Sequence, residues 1–140
     1  MQETTKKQIP IRQGRFIIPE VPGAKPFLIG ARCKDCGAVF SHPRVICLNC
    51  GKQHVEPTSL SGKGKVYSYT VVWQPLPNSV VKVPYAIVIV SLQEGCQITG
   101  VVTEDFRSLK VGKNVEVYFE KVKEDQDGNS LMIDKFRVVN

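Results

Sequence analysis

Four cysteines carry the clearest chemistry in this chain. Cys33 to Gly37 and Cys47 to Gly51 each read Cys-x-x-Cys-Gly, with a ten-residue spacer, GAVFSHPRVI, beginning at Gly37. Thiolates in two such pairs match the tetrahedral sulfur shell that zinc prefers. Cys33, Cys36, Cys47 and Cys50 are therefore the expected ligands of one structural zinc ion per chain. A shell filled by four protein sulfurs leaves no position for a catalytic water, so the metal is expected to hold a fold and not to perform chemistry. The repeated glycine has a backbone reason: after the second cysteine the chain turns through positive φ, which Gly37 and Gly51 permit cheaply, and amide N–H groups then approach the sulfurs. An iron centre on the same four thiolates stays open as an alternative. Disulfides are not expected, because Met1 to Phe16 has no apolar core resembling a secretion signal. A redox dithiol would need a βαβ setting around a single pair. His42 and His54 lie near the cysteines, but the shell is complete without them.

Little else has the residue types that catalysis needs. Cys96 is the one cysteine outside the pairs, and no base near it in sequence would generate its thiolate, so it reads as a small buried residue. Ser61-Gly62-Lys63-Gly64-Lys65 lacks the spacing of a phosphate loop and leads into a strand, not a helix. No pair of carboxylates has a supporting setting. A stand-alone active site is not expected.

The elements that position the cysteines follow from periodicity and punctuation. Residues 1–31 form an extended, Pro-rich arm in which Pro10, Pro19, Pro22 and Pro26 prevent a long helix. The arm is also apolar, with Ile9, Ile11, Phe16, Ile17, Ile18, Val21, Phe27, Leu28 and Ile29. Such a segment must lie against something, and another chain is the expected support for at least part of it. Residues 32–57 are the ribbon, with Val39, Phe40, Val45 and Ile46 as its miniature core. Residues 58–140 alternate as strands. Lys65 to Trp73 is expected to place Tyr67, Tyr69, Val71 and Trp73 on one face and Val66, Ser68, Thr70 and Val72 on the other. Tyr85 to Leu92 is apolar on both faces and central. Cys96 to Thr103 follows a Glu94-Gly95 turn, and its Gly100 is expected to permit a bend or bulge. After a helical turn within Glu104 to Gly112 come Asn114 to Val122, with Val115, Val117 and Phe119 inward, and Leu131 to Val139. Five strands with that interruption point to an OB barrel. The fold class is thus mainly β: a rubredoxin-like zinc ribbon, then a five-stranded OB-fold barrel, preceded by an extended arm.

Composition sets limits. A chain of 140 residues has room for one main domain and a small module,. Its longest apolar run, Tyr85 to Val90, is too short to span a bilayer, so no membrane partner and a soluble, cytoplasmic location are expected. The net charge of +6 is unevenly spread. Residues 1–65 hold 11 Lys and Arg against 4 Asp and Glu, whereas residues 66–140 hold 8 against 9. That division suits an acidic protein face or a phosphate-bearing cofactor. It suits nucleic acid less well, because the barrel that would bind it has no basic excess. The nucleic-acid alternative would stack single-stranded bases on Tyr67, Tyr69, Trp73 and Phe119, although aromatics alternating along a strand are more often core.

The order of motifs, Cys33 to Gly37, Pro43-Arg44, Cys47 to Gly51, Ser61 to Val72 and Pro84-Tyr85, resembles the zinc-ribbon/OB-fold family formerly described as the DUF35 domain of unknown function and associated with acyl-CoA enzymes. The resemblance covers roughly residues 27–139. It implies a non-catalytic subunit in a hetero-oligomer with a thiolase-like large subunit, a zinc module serving assembly, and a barrel near the acyl-CoA site, with a coenzyme A thioester as ligand of the complex. Arg44, Lys63 and Lys65 are the candidates for meeting CoA phosphates. The amino-terminal part departs from relatives that begin with helices. It resembles instead the small subunits of benzoylsuccinyl-CoA thiolases of anaerobic toluene degradation.

Overall fold

The computed structural model describes residues 8–11, 14–19, 23–77, 79 and 81–139. The arm positions 1–7, 12, 13 and 20–22, Val21 among them, lie outside the described residues. Ten strands and one short 3-10 helix follow in order: β1 Gln8–Pro10, β2 Phe16–Ile17, β3 Phe27–Cys33, β4 Val39–Phe40, β5 Val55–Leu60, β6 Lys63–Val72, β7 Tyr85–Leu92, β8 Gln97–Val102, the 3-10 turn Phe106–Ser108, β9 Asn114–Glu124 and β10 Ser130–Val138.

The strands form two sheets. The larger runs β1-β10-β9-β6-β7-β8, and the smaller runs β2-β3-β4 with β5 also paired to β3. Neighbours within β6 to β10 are antiparallel, and the 3-10 turn interrupts the chain between β8 and β9 as expected. A sixth strand, β1 of the arm, adds in parallel to β10, matching Gln8 with Ser130 and Pro10 with Met132. Within this curled sheet β8 and β10, the outer strands of the antiparallel run β10-β9-β6-β7-β8, face each other. Phe136 of β10 is fully buried, and a Cβ placed on Gly100 of β8 would come within 2.4 Å of its ring. Gly100 thus serves close packing and not the expected bend.

One core joins both sheets. Leu28 of β3 and Leu60 of β5 belong to the same buried cluster as Val66, Val88, Val90, Val102, Val115 and Phe136. Strand β3 runs through residues 31 and 32, and β5 through residues 57 and 58, so the chain is continuous sheet at both module junctions. Neither strand stood out in sequence. Gly30 and Pro57 disguise them, yet Gly30 is required there because a Cβ would meet the Phe40 carbonyl oxygen within 2.2 Å.

Part of the described arm lies on its own chain, while Ile17 of the same segment stays 40% exposed. Phe16 is 3% exposed and its ring packs 4.8 Å from that of Phe119. Strand β1 pairs with the large sheet and β2 with the small one, so backbone hydrogen bonding and one aromatic anchor bind the arm to both.

The expected faces of β6 are also corrected. A β-bulge lies between Val66 and Ser68, and because side chains alternate, one extra residue reverses the faces beyond it,. Val66 pairs with Val90, Tyr69 with Val88 and Val71 with Ala86, which places Val66, Tyr69 and Val71 on the core face. Tyr67 sits in the bulge and points outward.

Candidate metal centre and binding surfaces

The two cysteine pairs fold as mirrored loops. The Cys33 N–H donates to the Ala38 carbonyl at 2.9 Å and the Gly37 N–H to the Cys33 carbonyl at 3.0 Å. Fourteen residues on, the Cys47 N–H donates to Lys52 O at 2.9 Å and the Gly51 N–H to Cys47 O at 2.9 Å. Gly37 and Gly51 both have φ of +78°, the left-handed region predicted for them. Strand β3 delivers Cys33, and its pairing with β4 and β5 holds the first loop against the small sheet.

The four sulfurs lie within 4.8 Å of one another, with Cys33 and Cys50 at 3.6 Å and Cys36 and Cys47 at 3.5 Å. These are not disulfides. A zinc ion with Zn–S bonds of about 2.3 Å spreads its four sulfurs to about 3.8 Å apart, so the donor set fits with small adjustment. Backbone N–H groups already face the sulfurs: those of Asn49 and Cys50 approach Cys47 Sγ at 3.4 and 3.5 Å. The Asn49 amide, with the Ala38 N–H, holds the Cys36 thiol down at about 6. At Cys50 the Lys52 N–H pulls the same way, but desolvation and the neighbouring Cys33, Cys47 and Cys36 outweigh it and push that thiol up to about 12. A divalent cation held by the four thiolates would supply positive charge that favours their ionised form.

His42 and His54 stand outside the shell. His42 is exposed, and His54 Nδ1 contacts the Asp35 carboxylate at 2.5 Å. The expected ribbon core is half right: Val39 and Phe40 are partly buried, whereas Val45 is 75% and Ile46 48% exposed. No strand forms between Phe40 and Val55, so these two are not part of a sheet that would cover them.

Of the three CoA-phosphate candidates, the fold brings two together. Lys63 and Lys65 line a cleft of about 630 Å³ with Ser91, Gln93, Asn114 and Glu116. Arg44 lies on the ribbon with its guanidinium carbon 5.2 Å from the Phe40 ring centre, and does not line that cleft. The glycines of Ser61 to Lys65 have packing reasons. A Cβ on Gly62 would meet Val117 within 2.2 Å, and one on Gly64 would meet the Ser91 carbonyl within 2.2 Å. Ser61 donates from its hydroxyl to Glu94 at 2.9 Å, pinning this junction to the β7–β8 turn. Cys96 is 8% exposed, and burial together with the Glu94 charge raises its thiol pKa, the reverse of what a nucleophile needs,.

Of the four aromatic candidates for base stacking, Tyr67, Tyr69 and Trp73 are not the core that alternation suggested. Tyr67 is 60%, Tyr69 40% and Trp73 62% exposed, and Trp73 meets Phe106 edge to face at 6.3 Å. Phe119 is the exception, packing against the core with Phe16. The free upper edge of β6 explains the exposure. Only Lys63 to Lys65 pair with β9, and beyond them β6 pairs with β7 alone.

Comparison with known proteins covers both modules. Residues 23–56 match the ChsH2 rubredoxin-like zinc ribbon domain and residues 58–120 the ChsH2 C-terminal OB-fold domain. A DUF35 domain-containing scaffold protein of Methanocaldococcus jannaschii is 43% identical over 102 residues, which is 71% of this chain and 72% of that one. The benzoylsuccinyl-CoA thiolase subunit BbsA of Geobacter metallireducens is 27% identical over 124 residues, 87% of this chain and 83% of that one. Among solved structures, the Ltp2-ChsH2(DUF35) aldolase has the same fold, with a TM-score of 0.62 at 24% identity, over 78% of this chain and 84% of that one. Among the described residues no helix is long and apolar enough to cross a membrane.

Proposed function

This chain belongs to the DUF35 family of zinc-ribbon and OB-fold proteins, and from that premise we propose that it is a non-catalytic accessory subunit of an acyl-CoA condensing or cleaving enzyme of the thiolase class. One observation carries the reading. The similarity to a protein named as a scaffold and to one named as a thiolase subunit extends over both modules and most of each chain. The high pKa direction of the buried Cys96 and the packing roles of Gly62 and Gly64 agree with chemistry done by a companion.

Within this reading, Cys33, Cys36, Cys47 and Cys50 hold one structural zinc ion, which ties the ribbon to the end of β3. The arm, ribbon and barrel are read as residues 1–31, 32–57 and 58–140. The cleft at Lys63 and Lys65 is the place for the phosphates of a coenzyme A thioester bound by the complex, since two ammonium groups suit phosphate oxygens,. The finest form of the proposal is the small subunit of a benzoylsuccinyl-CoA thiolase acting in cytoplasmic anaerobic toluene degradation.

The test is co-expression with a thiolase-class large chain encoded beside this one. A stable hetero-oligomer on size exclusion with light scattering, and a large chain that loses activity or solubility alone, is the expected outcome. Full activity of the large chain by itself sinks the proposal.

A second reading, a single-stranded nucleic-acid module, is favoured by the exposed Tyr67, Tyr69 and Trp73,. It requires oligonucleotide binding that weakens steeply with salt.

A further inference from the structure

We infer that Val45, Ile46 and Leu48, on the ribbon that also carries Arg32, Arg44 and Lys52, form the surface that seats in an apolar hollow rimmed by carboxylates on the larger enzyme. This rests on the accessory-subunit reading. Val45 is 75%, Ile46 48% and Leu48 68% exposed; the first two lie between β4 and the second cysteine loop, and Leu48 lies within that loop. Grouped apolar side chains this exposed mark a contact surface. This segment is held at both ends. Phe40 of β4 pairs with Ala31 of β3, while Cys47 closes the loop through its hydrogen bond to Lys52 and its place among the four sulfurs. Arg44 is laid over the Phe40 ring. A surface already ordered loses little conformational entropy on docking.

The charge of the ribbon chooses the partner's chemistry. Residues 32–57 contain four Lys and Arg and two carboxylates. Both carboxylates are engaged, Asp35 with His54 and Glu56 with Lys34 at 3.5 Å, so Arg32, Arg44 and Lys52 are left to face a partner. Acidic side chains around an apolar hollow complement this arrangement, and such complementarity fixes docking register and speeds encounter. Three cations fall short of the polybasic cluster that anionic membranes select. Exposed Trp73, whose ring meets Phe106, lacks this bias, because Arg107 there follows Glu104 and Asp105 directly.

The experiment compares complexes of the co-expressed large chain with four versions of this chain: wild type, V45S/L48S, R44E/K52E and W73S. Zinc content per chain is measured for each, so that loss of docking is read only where the ribbon has kept its metal. V45S/L48S is expected to weaken the complex about 100-fold, as truncation of two anchors does. R44E/K52E is expected to weaken it about tenfold at low salt, with the difference vanishing near 1 M salt, where the screening length is about 3 Å. W73S is expected to stay within about threefold of wild type. The inference is overturned if zinc-loaded V45S/L48S docks like wild type, or if W73S alone abolishes docking. It is also overturned if the ribbon substitutions leave the complex intact and remove binding to phosphatidylserine vesicles. A wild-type chain that forms no complex overturns the accessory-subunit reading itself, an outcome seen before any substitution is made.

Discussion

Arg15 and Asp134 are 119 residues apart in sequence, yet Arg15 Nη2 donates to Asp134 Oδ2 at 2.8 Å and Nε donates to Oδ1 at 3.2 Å. The same Nη2 donates to the Thr99 carbonyl at 2.7 Å. One side chain of the arm therefore spans the gap between β8 and β10, the outer strands of the antiparallel run in the large sheet. Beside it Phe16 enters the core that the two sheets share. The arm acts as a clasp, and this attachment buries Phe16 against its own chain.

Removing the clasp cation should cost stability. In the Arg15→Met variant Asp134, whose side chain is 7% exposed, keeps its charge without a partner, and a loss of about 3 kcal/mol is expected,. Arg15→Met combined with Asp134→Leu should recover much of it, because the uncompensated charge is gone. Urea unfolding of the three chains measures this, and equal midpoints for wild type and the single variant would show that the clasp contributes nothing.

Gly100→Ala should destabilise by about 2 kcal/mol, since the new methyl overlaps the Phe136 ring in a packed interior,. Adding Phe136→Leu to that variant should relieve part of the overlap. Thermal melts of the single and double variants distinguish this from a loss of backbone freedom, which Phe136→Leu would not repair.

Cys47→Ser should release the metal and unfold the ribbon, because the ribbon has little core of its own: Val45 and Ile46 point to solvent,. Cys96→Ser should retain one ion per chain. Elemental analysis after dialysis reads both. Acidification should release the ion from wild type as protons compete for the thiolates, so bound metal should fall with decreasing pH and not with increasing pH.

Asp125 sets the turn between β9 and β10, accepting from the Asn129 side chain at 3.1 Å and from the N–H groups of Asn129 and Asp127 at 2.8 and 2.9 Å. The Asn129 side chain first, then these backbone donors, lower its pKa below the ordinary value of 3.8. A carboxylate whose folded pKa is depressed stabilises the fold above its unfolded pKa of about 4 and loses that contribution as the pH falls through the lower, folded pKa. Asp125→Asn should therefore be less stable than wild type at pH 7, with the difference shrinking in strong acid. A difference that grew on acidification would refute the assignment.

What residue order determined by itself was local. The cysteine loops need only the Cys-x-x-Cys-Gly spacing, because their hydrogen bonds close within five residues and their glycines supply the positive φ. Strands β7 to β10 and the interrupting turn were legible for the same reason: a period of two and a Gly or Asp turn are properties of adjacent residues. Tertiary structure decided the rest. The bulge at Tyr67 is invisible in an unbroken alternating run, since only the register against β7 shows that one residue is left over. The arm's attachment to its own chain depends on a carboxylate 119 residues away, and Gly100 is required only because Phe136 arrives from another strand. The exposure of Val45, Ile46 and Leu48 follows from the lack of any strand to cover them. Spacing specifies a bond between near neighbours, whereas burial depends on which distant surfaces arrive at the same place.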